Sequence, residues 1–256
     1  MRNLRLVAVG LRLQVKMLSR STFNGVLGIL YPLFFATVAF FMFQAGAKNA
    51  LPFAALGAAV MGIWSSTSTS AGSAMQRERW HGTLELLVAA PSPFSLVMLP
   101  MTIAMSFLGI YSMAATLFWG RVAFGIHVPV EHWGAFCFSV AVTVVSIGLV
   151  GFLMAVAFVR YRASWALGNL FEYPVWLICG FLVTLDHFPG WVEKIAWILP
   201  PYWGMRAIRA AAEGGGTPLA DAAMCAGLGL VYLTIGIVVS DYMLTAARKR
   251  ATLALT

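Results

Sequence analysis

The chain has 256 residues, of which 61% are hydrophobic and 10% charged, with a mean hydropathy of +0.85; a soluble domain carries about 25% charge. There is too little polar surface to clothe an apolar core in water, so a purely water-soluble globular fold is excluded and the solvent is lipid. The net charge of +8 does not point to nucleic acid, because the basic residues are scattered between long uncharged runs instead of lining one face.

Residues 1–20 are basic and precede the first apolar span, so they lack the form of a cleaved signal peptide. Leu4, Leu11, Val15 and Leu18 fall near one helical face with Arg5, Arg12 and Lys16 around the others, which suits an interfacial helix on an anionic cytoplasmic leaflet, the alternative being a solvated basic tail. About 20 apolar helical residues cross about 30 Å of hydrocarbon. Six runs meet that length, at residues 23–43, 51–74, 94–119, 134–159, 164–185 and 222–240. They are continuously apolar where barrel strands would alternate, so the expectation is an all-α polytopic membrane protein, a single transmembrane domain over residues 1–256.

With six spans both termini share a side. Twelve basic residues fall on that side and five (Lys48, Arg121, Lys194, Arg206, Arg209) on the other, so both termini are expected in the cytoplasm. Trp119, Trp133, Trp191, Trp197 and Trp203 then fall near the outer interface and Trp165 near the inner one, where amphipathic rings prefer to sit.

The second span carries a run of hydroxyl and small residues, Ser65 to Ser73. Such residues allow close helix packing in lipid, or they line a pathway; Ser66, Thr69 and Ser73 are the candidates on either reading. The loop at 76–93 reads QRERWHGTLELLVAAPSP, with charges flanking a Leu-rich ridge and prolines closing it. This is the form of a short helix that fits a partner's groove, or of an amphipathic loop resting on headgroups.

Glu172 is the one formally charged residue well inside a span. A carboxylate there is expensive, about 2.5–3.5 kcal/mol on insertion scales. It is either neutral and hydrogen-bonded in the bundle, paired with another subunit, or on a translocation route. Beyond it, residues 186–221 hold two apolar pieces too short to span, divided by Pro200 and Pro201 and ended by a glycine run, which predicts two short outer helices, re-entrant or interfacial. Trp191 lies in the first piece. Arg206, Arg209 and Glu213 share one face of the second and are expected to pair with each other or with lipid phosphates.

The segment RERWHGTLELLVAAP (77–91) resembles the cytoplasmic coupling segment of the type-2 exporter permeases of the ATP-binding-cassette (ABC) superfamily, and PGWVEKIAWILPPYWGMRAIR (189–209) resembles the two short outer helices that precede their last span. Trp80 stands where many relatives carry a second acidic residue. The resemblance implies a permease half. Two such chains, identical or related, would form the pathway, and two ATP-binding subunits holding ATP and Mg would dock on their coupling loops. Mapped onto this chain, coupling falls to Glu78, Arg79, Gly82, Thr83, Glu85 and Leu86.

No G-x-x-x-x-G-K-[ST], H-E-x-x-H or G-x-S-x-G pattern occurs, so no ATPase or other catalytic activity is expected on this chain. Cys137, Cys179 and Cys225 form no CxxC pair, and the four histidines are scattered over both sides, so no cofactor or metal is expected either. The expected function is efflux across the cell membrane of a hydrophobic or amphipathic compound such as a drug, antibiotic or lipid. A proton-coupled secondary transporter using Glu172 and a non-transporting scaffold are the alternatives.

Overall fold

A computed structural model describes residues 2–20, 26, 30, 33–34, 36–38, 40–41, 51–82, 93–159 and 164–250. Among them there is no strand; the order is α1 (Arg2–Arg20), α2 (Leu51–Trp80), α3 (Phe94–Phe124), α4 (Trp133–Phe158), α5 (Ser164–Ile178), a 3-10 turn (Leu185–His187), α6 (Gly190–Ala196), α7 (Pro200–Glu213) and α8 (Pro218–Arg250). Helices prevail because lipid offers no partner for a backbone N–H or C=O, so each segment must satisfy its own.

Four helices are long and apolar enough to cross a membrane: Leu51–Ser73, Phe94–Phe124, Trp133–Phe158 and Pro218–Met243. The first expected span lies mostly outside the described residues. In the fifth expected span, 164–185, the described helix α5 ends at Ile178, earlier than expected. The stop is local chemistry. Gly180 adopts φ +67°, its N–H reaches the Leu177 carbonyl, and the Phe181 N–H reaches the Trp176 carbonyl. These are the two bonds that close a helix through a left-handed glycine.

α2 is the central member, packing against α3, α5 and α4. Its neighbours approach it where side chains are small. Gly109 of α3 sits over Ile63, where a Cβ would come within 2.6 Å of the Ile63 Cα; Gly151 of α4 meets Thr67, and Gly168 of α5 meets the Ser68 carbonyl, a Cβ there lying 2.6 Å from that oxygen. The closest approach is at Gly57, where an added Cβ would overlap the Phe181 carbonyl just past the end of α5. Around these contacts the main core gathers Leu56, Val60, Trp64, Ile147, Trp176, Phe181, Met205 and Ile208. α7 is wedged into the bundle between α4 and α8, burying Pro200 to Met205 on its first turns, while α6 leaves Trp191 62% exposed.

Gly57→Ala should therefore lower stability by about 3 kcal/mol, since the clash is with backbone and no rotamer relieves it. Gly134→Ala, in open space at the start of α4, should leave stability unchanged or slightly raised. Thermal unfolding of the two purified variants in detergent measures the contrast.

Candidate functional site

Three polar places stand out against the apolar bundle. At the first, α2 continues as a helix through Glu78 and Arg79 to Trp80, several residues beyond the expected span end. Trp80 is 78% exposed, and exposed Gly82 turns the chain with φ +67°, a conformation that favours glycine. Thr83, Glu85 and Leu86 lie outside the described residues, as does the short helix expected there. The chain returns at Pro93, which stands directly before α3.

The second place is the contact of α2 with α5. Glu172 is 1% exposed, hydrogen-bonds the Ser65 hydroxyl of α2, and leaves Oε1 without a partner among the described residues. One turn along, the Ser68 hydroxyl donates to the Gly168 carbonyl at 2.6 Å. Ser66 donates to the Ile63 carbonyl at 2.9 Å, with the Met105 carbonyl of α3 at 3.5 Å. Thr69 turns back to the Ser65 carbonyl at 2.6 Å, and Ser73 is half-buried. A second seam joins Thr67 and Ser106, whose hydroxyls are 2.9 Å apart between α2 and α3. Ser65, Thr67, Ser68 and Ser106 were not singled out from the sequence. The α2 residues lay within the noted hydroxyl run, but which of them faces which helix is set by a partner sequence spacing does not name.

The third place is the segment at 186–221. Arg206 and Arg209 do share a face, yet they part company, and the expected pairing of Arg206, Arg209 and Glu213 with each other is corrected. Arg206 reaches Asp221 of α8 at 3.5 Å and stacks over Trp203, 5.0 Å from the ring centroid. Arg209 points inward, donating through Nη1 to the Gly180 carbonyl at 2.9 Å and through Nη2 to the Phe181 carbonyl at 2.7 Å, with its guanidinium 3.3 Å from the centroid of Phe53 on α2. Cations suit the negative end of a helix dipole, and Arg209 occupies that end of α5. Burial draws its pKa down to about 9 against the raising pull of the Glu213 charge, so it stays cationic at neutral pH. Glu213 thus acts on Arg209 through its charge, without direct pairing. Pro200 and Pro201 begin α7 with a backbone already set for a helix. Trp191 lies apart on exposed α6. The Cys225 thiol of α8 donates to the Pro200 carbonyl at 3.3 Å, tying the start of α7 to its neighbour.

Among the described residues no three His, Cys, Asp or Glu side chains gather as metal ligands. Long apolar helices, small-residue contacts and polar groups confined to helix seams and ends define a multi-pass helical membrane protein. The match of residues 5–212 to the ABC-2 type transporter family makes it more specific: the chain belongs to that family and is a membrane permease component of an ABC transporter. No curated protein matches the chain significantly.

Arg209→Ala should lower stability by about 3 kcal/mol, because two carbonyls lose a charged donor in a poorly solvated place. Arg209→Lys should recover part of the loss, as an ammonium keeps the charge without the planar fork that spans both oxygens. Thermal unfolding of both variants, compared with Arg206→Ala, where the exposed guanidinium meets buried Asp221 at a single contact, is the measurement.

Proposed function

We propose that the chain is one permease half of an ATP-driven exporter that moves a hydrophobic or amphipathic compound out of the cytoplasm across the cell membrane, with both termini cytoplasmic. The observation that carries the reading is the family match over residues 5–212, on a chain whose sequence holds no phosphate-binding loop of its own. Energy then comes from elsewhere. Two ATP-binding subunits, holding ATP and Mg, dock on the 76–93 loops of two permease chains, and their closure exchanges inward for outward exposure of the pathway.

The loop's place in the chain supports this. α2 runs without interruption from the packed core to the exposed turn at Gly82, and α3 leaves from Pro93. A push at the loop enters both helices at once. α2 in turn is bound to α5 through Ser65, Ser68, Glu172 and Gly168, and the end of α5 is held by Arg209 of the outer segment. A rigid helix tied at several depths passes displacement from one side to the other. The cargo class is supported by the buried Met, Phe and Trp side chains, which suit apolar surface, with Ser and Thr hydroxyls and the carboxyls of Glu172 and Asp221 among them to meet the polar part of an amphipathic compound.

Glu78 and Glu85 would engage basic groups on the ATPase, with Arg79 at their flank, Gly82 and Thr83 shaping the turn, and Leu86 filling its groove. Losing one partner of a docked charge pair costs a few kcal/mol, so Glu85→Ala should weaken docking by at least about tenfold, and Leu86→Asp by more. Complex yield, cargo-stimulated ATPase activity and transport of the reconstituted complex measure this. Wild-type values in both variants make the loop a connector. Transport that survives ATP depletion but not collapse of the proton gradient, from a preparation lacking any ATPase, replaces the exporter with a secondary transporter.

A further inference from the structure

α2 is longer than the membrane needs. It runs for 30 residues from Leu51 to Trp80, while its apolar stretch ends at Ser73. Residues 74–80, at 1.5 Å each, carry the helix about 10 Å past that point, whereas the headgroup layer is only about 5–8 Å deep on each side of the hydrocarbon. Trp80 therefore stands beyond the depth at which an indole ring straddles acyl chains and water. Arg77, Glu78 and Arg79 separate it in sequence from the apolar stretch.

At 78% exposure, Trp80 is the most open large apolar side chain among the described residues. His81 and Gly82 beside it are exposed as well. Gly82 turns the chain at φ +67°, and no described atom lies within 4 Å of where its Cβ would stand. The tip of α2 thus presents a large apolar ring in water, on a helix that is packed into the core at its other end.

We propose that Trp80 is the apolar anchor by which the permease docks on its ATP-binding subunit, entering a pocket there with apolar walls and a carbonyl or carboxylate at its rim. That the partner is an ATP-binding subunit rests on the exporter reading; the anchor and the pocket it needs come from α2. Indole suits this task, being a rigid ring with two apolar faces, one N–H donor and no acceptor. Tryptophans that fill pockets carry a share of binding energy far beyond their number.

The ring and the charges beside it do different work. Carboxylates such as Glu78 act at range and steer the encounter, while an indole gains only when it leaves water. A subunit with a basic surface but no pocket would meet the loop and leave again. Trp80 therefore selects which ATP-binding subunit the permease keeps.

The test uses the complex purified from native membranes and held in nanodiscs of phosphatidylethanolamine and phosphatidylglycerol. Photoreactive benzoylphenylalanine replaces Trp80 or, as a control, Tyr111, which is 68% exposed within the apolar length of α3. Illumination should join position 80 to a protein whose sequence contains G-x-x-x-x-G-K-[ST], and position 111 to lipid. Trp80→Ala should lower the affinity of the permease for that subunit at least about tenfold, and Trp80→Phe should keep most of it. The melting temperature of the permease alone should be the same in all three forms. An adduct of position 80 with lipid or with a second permease chain, the same adduct from position 111, or wild-type affinity in Trp80→Ala overturns the proposal and leaves the exporter reading standing. A wild-type complex that contains no ATP-binding subunit overturns both.

Discussion

Between helices in lipid there is no hydrophobic drive, because the acyl chains are as apolar as leucine; association comes from close contact and from hydrogen bonds that have no competitor. The bundle around α2 is arranged by that constraint. At Gly57, Gly109, Gly151 and Gly168 a side chain is reduced to hydrogen so that a backbone or a small side chain can approach. Beside three of these four approaches stand the hydroxyls of Ser66, Thr67 and Ser68, each with a hydrogen-bond partner. The order of the other helices around α2 follows from which of its faces carries which small residue.

The same constraint governs the charges. Glu172 is tolerated in the α2–α5 seam beside a hydroxyl, and Arg209 is tolerated inside because carbonyls left open at the end of α5 need donors. Glu172 and Arg209 therefore each sit at a defect that the helical backbone or the packing itself creates. Exposed Arg206, with an aromatic ring beneath it and Asp221 beside it, belongs to the surface and follows surface rules.

Composition and run length made the helical membrane class plain, and they located α2, α3, α4 and α8 to within a few residues at their apolar cores. Hydropathy could not see where α5 ends, because Cys179, Phe181, Leu182 and Val183 continue the apolar run and the stop depends on a single left-handed glycine. Periodicity placed Arg206 and Arg209 on one face correctly but could not assign partners, since those belong to α8 and to the end of α5, distant in sequence. On α1 the amphipathic pattern was legible, while the face that packs was not, because the glycine that seats it on Pro100 contributes nothing to hydropathy. In the 76–93 segment, Glu78, Arg79 and Gly82 fall at the end of α2 and its following turn, whereas the Leu-rich part was read from pattern alone.

The two arginines of α7 make the 186–221 segment a cross-brace between α8 and the end of α5. One end is fastened to α8 through a 3.5 Å ion pair between exposed Arg206 and buried Asp221, beside the Cys225 thiol on the Pro200 carbonyl. The other is fastened to the end of α5 by two carbonyl contacts under an aromatic ring on α2, where neither salt nor water competes. α7 therefore holds to α8 and to the end of α5 alike, and ties elements distant in sequence into one unit.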